Sequence, residues 1–455
     1  MLDLHEVLLY FESLGTQVGS IDKRMRQRDK SLVVSTDLYG GFANSFGVFQ
    51  AHYQASLLAS YPPSSIAWIG TTQGFLVNVV GLVSGRLYDA GYTKSLVYVG
   101  STLNVVGLVA TSFSVTYVEL FFSLGVCVGL GSGIFYVPSL AIVATYFDNR
   151  KRPLATGVAA TGAGVGGVVY PILFRELVNR AGLSWALRSF ACFNAGLLIV
   201  SCLLVRPLKI ETEVTNANPV ENNPHSPITE TAITIYPKDQ HMRRCKKKTG
   251  GKRKQALFDK TAFRDRPFIL FSMSLLLLWL GVDVPFFFLP SFAQDKLNLS
   301  NDWGDYLLAI MNASAIIGRL ILGLAAVYVG GAFAIWQFAI GASCILLACW
   351  AAVQNLPGII VFVILYGGLT GGVISLVSAA LLVISPNLTL VGTRLGMSGV
   401  LAGFGFLIGP PVAGAMKSTS AGYIGQSIFA AATYFAAFGV LWMARALHER
   451  GSVEA

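Results

Sequence analysis

Long apolar blocks, separated by short charged or polar breaks, run through almost the whole chain. The stretch Phe268–Leu280 carries no charge, and neither does Gly331–Val353. Crossing the hydrocarbon core as an α-helix takes roughly 20 mainly apolar residues, because each adds only about 1.5 Å. Blocks of about that length predict spans at 31–51, 66–85, 95–115, 118–141, 153–174 and 185–205. A second set is predicted at 267–290, 304–327, 331–353, 356–384, 393–416 and 422–444. The predicted fold is an all-α membrane protein of about twelve transmembrane helices in two six-helix pseudo-repeats. Its parts are an N-terminal segment 1–30, a first bundle 31–205, a basic linker 206–264, a second bundle 265–444 and a tail 445–455.

The two halves repeat. Gly129, Gly133, Gly157, Gly166 and Pro171 recur at one constant spacing as Gly368, Gly372, Gly396, Gly405 and Pro410. This equates the fourth and fifth spans with the tenth and eleventh. Gly85-Arg86-Leu87 recurs as Gly318-Arg319-Leu320 at a slightly different spacing, equating the second span with the eighth. Small residues at such spacings let helices approach closely in lipid. The first span has the weakest pattern, since Leu32-Val33-Val34 gives way to Ser35, Thr36 and Asp37. Such a segment either lines a polar cavity or begins irregularly.

Composition supports the membrane reading. The chain is 54% hydrophobic and 12% charged, against about 25% charged in a soluble domain. Its net charge of +10 is concentrated between Arg243 and Lys254, where eight basic residues stand without an acid. Placed between two apolar halves, this block reads first as a cytoplasmic topology signal and second as a contact for anionic lipid headgroups. No folded basic domain accompanies it, so a nucleic-acid partner is not expected. Basic residues also precede the first span (Lys23 to Lys30), flank the second connection (Arg86, Lys94), form the fourth (Arg150 to Arg152) and follow the last span (Arg445, Arg450). They put both termini in the cytoplasm, with Arg175, Arg180, Arg188 and Lys417 as exceptions. The expected location is the plasma membrane, with the vacuolar membrane as the alternative.

Catalysis is not expected. The six cysteines have no metal-ligand spacing, no Walker sequence occurs, and no Ser/His/Asp arrangement is found. No cofactor or metal is therefore assigned.

Gly85-Arg86-Leu87-Tyr88-Asp89-Ala90-Gly91 resembles the signature between the second and third helices of the major facilitator superfamily. Phe46-Gly47-Val48-Phe49-Gln50, Ile66-Ala67-Trp68-Ile69-Gly70, Tyr146-Phe147, Pro285 to Pro290 and Gly318-Arg319 resemble its fungal monocarboxylate-porter-like branch. The resemblance runs from about residue 40 to the C-terminus. It implies that Gly85, Arg86, Asp89 and Gly91 form a cytoplasmic latch, with Asp89 accepting hydrogen bonds from a helix N-terminus or a basic side chain. The alternative is a solvated loop. It also implies a substrate-binding role for Arg319, whose guanidinium matches a carboxylate through two parallel N–H donors. The sequence departs from that branch at two positions. Ala315 replaces an acid one turn before the arginine, and Asn44, the other substrate-binding candidate, stands where the branch has a lysine. The alternative makes Arg319 the structural counterpart of Arg86.

Asp283, inside an otherwise apolar span, and Asp37, in the weak first span, are candidates for proton coupling. For Asp283 the alternative is an acid reaching water near the outer face. Asn298-Leu299-Ser300 is a glycosylation sequon expected outside, whereas Asn312 lies within a span and Asn387 in the cytoplasm. The expected function is secondary transport of a small organic solute, with a monocarboxylate as candidate, by alternating access and with proton symport as a candidate mode. The alternatives are an exporter of a hydrophobic natural product and, from another class, a nontransporting sensor or scaffold.

Overall fold

The computed structural model describes residues 41, 44–89, 92–134, 161–204, 261–384 and 391–453. Asp37, Gly91, the basic cluster Arg243–Lys254 and Asn387 lie outside the described residues. The first half contains α1 (Phe46–Ala55), α2 (Pro63–Asp89), α3 (Thr93–Thr111), α4 (Tyr117–Ile134), α5 (Thr161–Ala181) and α6 (Leu183–Leu204). The second contains α7a (Arg266–Gly281), α7b (Val284–Asp295), α8 (Asn301–Ala325), α9 (Gly331–Trp350), α10 (Leu356–Ile384), α11 (Val391–Lys417) and α12 (Gly422–Val453). Nine helices among the described residues are long and apolar enough to cross a bilayer. Helices α1, α5 and α6 take the places of the other three, so the chain has the expected all-α, twelve-span architecture.

Local sequence sets the boundaries. Thr116 opens α4 with a capping box: Glu119 N–H donates to Thr116 Oγ1 at 3.4 Å, and Thr116 N–H donates to Glu119 Oε2 at 3.1 Å. Asp265 opens α7a by accepting from Phe268 N–H at 3.4 Å, with Pro267 in the first turn where no donor is needed. Gly182 closes α5 at φ 81°, a left-handed position that favours glycine. The last helix runs on to Val453, past the end of its apolar pattern at about 444.

The repeat in sequence is a repeat in packing. Gly129 and Gly133 bring α4 against Gln73, Leu76 and Val80 of α2. Their counterparts Gly368 and Gly372 bring α10 against Ser314 and Leu322 of α8. Gly166 meets Gly41 in front of α1, and its counterpart Gly405 meets Leu276 and Trp279 of α7a. Each pair fills the same role in its own half.

The two halves meet along α2/α11, α5/α8 and α1/α7b. One end of the bundle bears the α1/α2, α5/α6, α7/α8 and α11/α12 connections and is here the Asn298 end. The other, the Asp89 end, bears the α2/α3 and α8/α9 connections. At the Asn298 end the halves are in contact, with Gly414 of α11 against Pro63 and Ser64 of α2.

The basic exceptions to the topology rule gather at this end, and three of them face an acid. Arg175 pairs with Asp302 at 2.7 Å, Lys417 with Asp295 at 3.0 Å, and Arg180 with Glu176 at 3.2 Å. Arg188 lies over the Phe113 and Trp185 rings, 4.6 and 5.0 Å from their centroids.

Asn298 is exposed in the α7/α8 turn, whereas Asn312 is buried. Expression in a glycosylating host is expected to give an endoglycosidase-sensitive mass shift that Asn298→Gln abolishes. Sugar on Asn387 instead would reverse the orientation.

Candidate functional site

Helix α8 divides its surface between two neighbours. Met311, Ala315, Gly318 and Leu322 face α10, where Gly367, Gly371, Gly368 and Gly372 give them room. Asn312 and Ile316 face α5 in the other half, against Gly167 and Gly164. Residues spaced by three, four and seven share a helix face, so Arg319 continues the Asn312–Ile316 stripe into the boundary between the halves. Its exposure is 6%.

Depth separates Arg319 from Arg86. Arg86 lies in the last turn of α2, which ends at Asp89, whereas the helix of Arg319 continues through a π-helical stretch to Gly330. The recurring Gly-Arg-Leu triplets therefore sit at different levels, consistent with their irregular spacing in sequence. Gly85 and Arg86 occupy the helix end expected of a latch. The Asp89 side chain, like Gly91, lies outside what is described.

Across from α8, Gly47 of α1 approaches the Phe286 carbonyl of α7b so closely that a Cβ there would overlap the oxygen. Gln50 lies one turn further along the same face, fully buried, and neither its amide oxygen nor its nitrogen has a hydrogen-bond partner among the described residues. The Gln73 amide nitrogen in α2 is likewise buried and unpartnered among them. Asn44 lies at the start of α1, partly buried.

Aromatic rings cross the boundary. Phe46 of α1 stands 5.1 Å from Phe287 of α7b, which stands 6.1 Å from Phe406 of α11. Trp279 of α7a is 6.1 Å from Phe406, and Phe75 of α2 is 5.0 Å from Phe404 of α11. In sequence Phe46 and Phe287 stand in stretches that carry the family resemblance, but nothing in the local pattern of these six residues marks them as one surface.

The span predicted at 267–290 is broken. Helix α7a ends at Gly281, and α7b begins at Val284 with Pro285 in its first turn. Asp283 occupies the break. Its Oδ2 is enclosed without a hydrogen-bond partner among the described residues, although the residue keeps some accessible surface. A carbonyl freed by the break is used at once: Tyr366 of α10 donates its hydroxyl to Val282 O at 2.8 Å.

Residues given no site role from sequence add further contacts. Arg175 of α5 joins Asp302 across the halves and lies 4.8 Å from the Tyr306 ring centroid. Arg394 of α11 pairs with Asp265, the cap of α7a. A helix-opening acid beside Pro267 was the available signal for Asp265, whereas its distant partner left none.

The profile of the Major Facilitator Superfamily matches residues 38–349. The chain belongs to the major facilitator superfamily. Among curated relatives, the MFS-type transporter pynF of Aspergillus niger is 33% identical over 379 residues, covering 83% of this chain and 78% of the relative. The Fujikurins efflux protein of Gibberella fujikuroi is 31% identical over 392 residues, covering 86% and 76%. The Aspyridones efflux protein apdF of Emericella nidulans is 28% identical over 393 residues, covering 86% and 72%. Among solved structures, a mutant of the nucleoside transporter NupG superposes with a TM-score of 0.64 at 14% identity, covering 91% of this chain and 100% of that one, a likeness of fold alone. This superfamily member is thus a multi-pass, non-enzymatic membrane transporter of a small solute.

Proposed function

We propose that this superfamily member exports an apolar, ring-bearing small molecule that carries an acidic oxygen, by alternating access between its halves. The observation that carries this reading is the chain of rings from Phe46 through Phe287 and Phe406 to Trp279. Rings prefer offset or edge contact with other rings, so this surface suits a planar apolar solute better than a small hydrophilic acid. Gln50, Gln73 and Asn312 offer neutral hydrogen-bonding groups, and Arg319 offers a guanidinium for the acidic oxygen. Relatives named as efflux proteins of aspyridones and fujikurins favour export over uptake. The uncharged Asn44 and Ala315 weigh against lactate-like monocarboxylate symport.

In this reading the Asn298 end faces the outside of the plasma membrane and both termini face the cytoplasm. The Gly85–Gly91 segment acts as the latch of one state, and the Arg243–Lys254 cluster rests against anionic headgroups.

The test compares binding of a hydrophobic aromatic acid with that of its uncharged amide, in the natural protein and in Arg319→Lys. Lysine keeps the charge but loses the two-pronged donor geometry. Affinity for the acid is expected to fall by roughly 1.5–3 kcal/mol, about tenfold to a hundredfold, with little change for the amide. An equal change for both ligands removes Arg319 from the site.

A further inference from the structure

We propose that Asp283, together with Tyr366 and Tyr434, forms a proton-carrying site inside the second half, beside the ring-lined surface where solute is taken. The inference rests on the transport reading and names the coupled ion and its carrier.

Asp283 holds the N-cap position of α7b, where an ionised acid ordinarily accepts from the first free N–H groups of the helix. Here its side chain makes no capping bond, and Pro285 removes one of the donors it would use. The Phe287 N–H binds the Asp283 main-chain carbonyl at 3.0 Å, the ordinary first bond of the helix. The carboxyl makes no bond to the first N–H groups of the helix, and Oδ2 is enclosed without a partner among the described residues.

The surrounding elements offer no counter-charge. Helix α10 presents Tyr366, whose hydroxyl donates to the adjacent Val282 carbonyl, and α12 presents Tyr434, whose ring meets Gly281; both are fully buried. Helix α12 also sets Thr433 against Gly281, and α9 brings Cys344 near Tyr434. Helix α11 presents Gly405 and Gly409 to Leu276 and Leu280, and α1 presents Gly47 to Phe286. Helix α8 meets α7b at Pro290 through Gly304, and its acids Asp302 and Asp305 lie in the field of Arg175. Among the described residues, no basic side chain faces Asp283 from these elements.

An unpaired charge in such surroundings is costly, whereas a neutral acid with two phenol neighbours is not. The cycle follows from that difference. Water on one side supplies a proton to the carboxylate, giving the neutral acid and allowing the break to close around it. Rocking of the halves then exposes the break to the other side, where the acid returns its proton to water. One proton crosses inward per turn, and the halves return with the acid ionised and the solute bound, so that proton entry drives solute exit.

The internal repeat places this carrier once per molecule. The constant spacing that relates Gly129 to Gly368 also relates Asn44 to Asp283 and Gly47 to Phe286, the residues at the α1/α7b contact. The first half therefore has a neutral amide where the second has the acid.

Infrared difference spectroscopy of the purified protein in lipid nanodiscs, between acid and alkaline buffer, tests the site without any solute. A protonated-carboxyl C=O band is expected in the natural protein at acid pH and lost at alkaline pH. It should be absent at every pH in Asp283→Asn, retained in Asp305→Asn, and shifted in Tyr366→Phe and Tyr434→Phe. If Asp283→Asn does not fold, Asp283→Glu should move the band instead. A titrating band unaffected by the change at Asp283, or an Asp283 carboxyl that never changes protonation, overturns the proposal. The transport reading would then survive as proton-independent exchange, and failure of solute transport would leave the infrared result standing.

Discussion

Gly47→Val is expected to leave the protein inserted and folded but largely unable to close its Asn298 end. Position 47 has no room for a Cβ, because the Phe286 main-chain oxygen of the opposite half already occupies that space. A main-chain atom cannot swing aside as a side chain would, and valine adds two methyl groups beyond its Cβ. Overpacking of this kind typically costs about 1–3 kcal/mol. The strain is relieved if the two halves stay apart at this level. At the upper end of that range the closed form is depleted by about a hundredfold. Turnover should fall with it. Pulsed EPR between labels on Ser60→Cys and Thr419→Cys, with the six native cysteines replaced by serine, should report longer distances at this end. An unchanged distance distribution with normal turnover would sink the idea that Gly47 governs closure.

Arg394→Met is expected to be the most damaging change to stability at the opposite end. The Arg394 side chain is 4% exposed and pairs with Asp265, which is 18% exposed and also caps α7a. Its guanidinium lies 5.1 Å from the Phe268 ring centroid. Removing one partner of a buried pair typically costs about 3–5 kcal/mol, because the other charge is left uncompensated. Asp265 keeps some contact with water, which places the loss near the lower end of that range. Asp265→Asn in the same molecule should recover part of it, since the amide removes the stranded charge. Thermal unfolding of both single variants and the double variant measures the coupling directly. A fully additive result would mean that the pair contributes nothing to stability.

The halves, the spans and the repeat were legible because lipid imposes long uninterrupted apolar blocks and because glycine marks close helix contact wherever it recurs in register. The break in α7 was not. Pro285 was visible, but α11 carries Pro410 and Pro411 inside one continuous helix, so proline alone does not decide where a helix stops. What distinguishes the two is the partner waiting for the freed carbonyl, Tyr366 at Val282, and that partner is far away in sequence. Arg319 was marked in sequence by the family resemblance, whereas its burial and its separation from Arg86 required the depth of each helix. The Arg175–Asp302 contact was hidden for the same reason as the ring chain: individually ordinary residues become a site only when α5 meets α8.

The acids that face the basic residues at the Asn298 end also shape long-range attraction. With Arg175, Arg180 and Lys417 each set against a carboxylate, an anion approaching from that side meets little net field. At the Asp89 end, Lys94, Arg264 and Arg266 remain exposed. Charges of this kind steer ions over about 8 Å at physiological ionic strength. Encounter with an anionic solute should thus be faster, and more sensitive to salt, from the Asp89 side alone, giving the two mouths of the same pathway different capture rates.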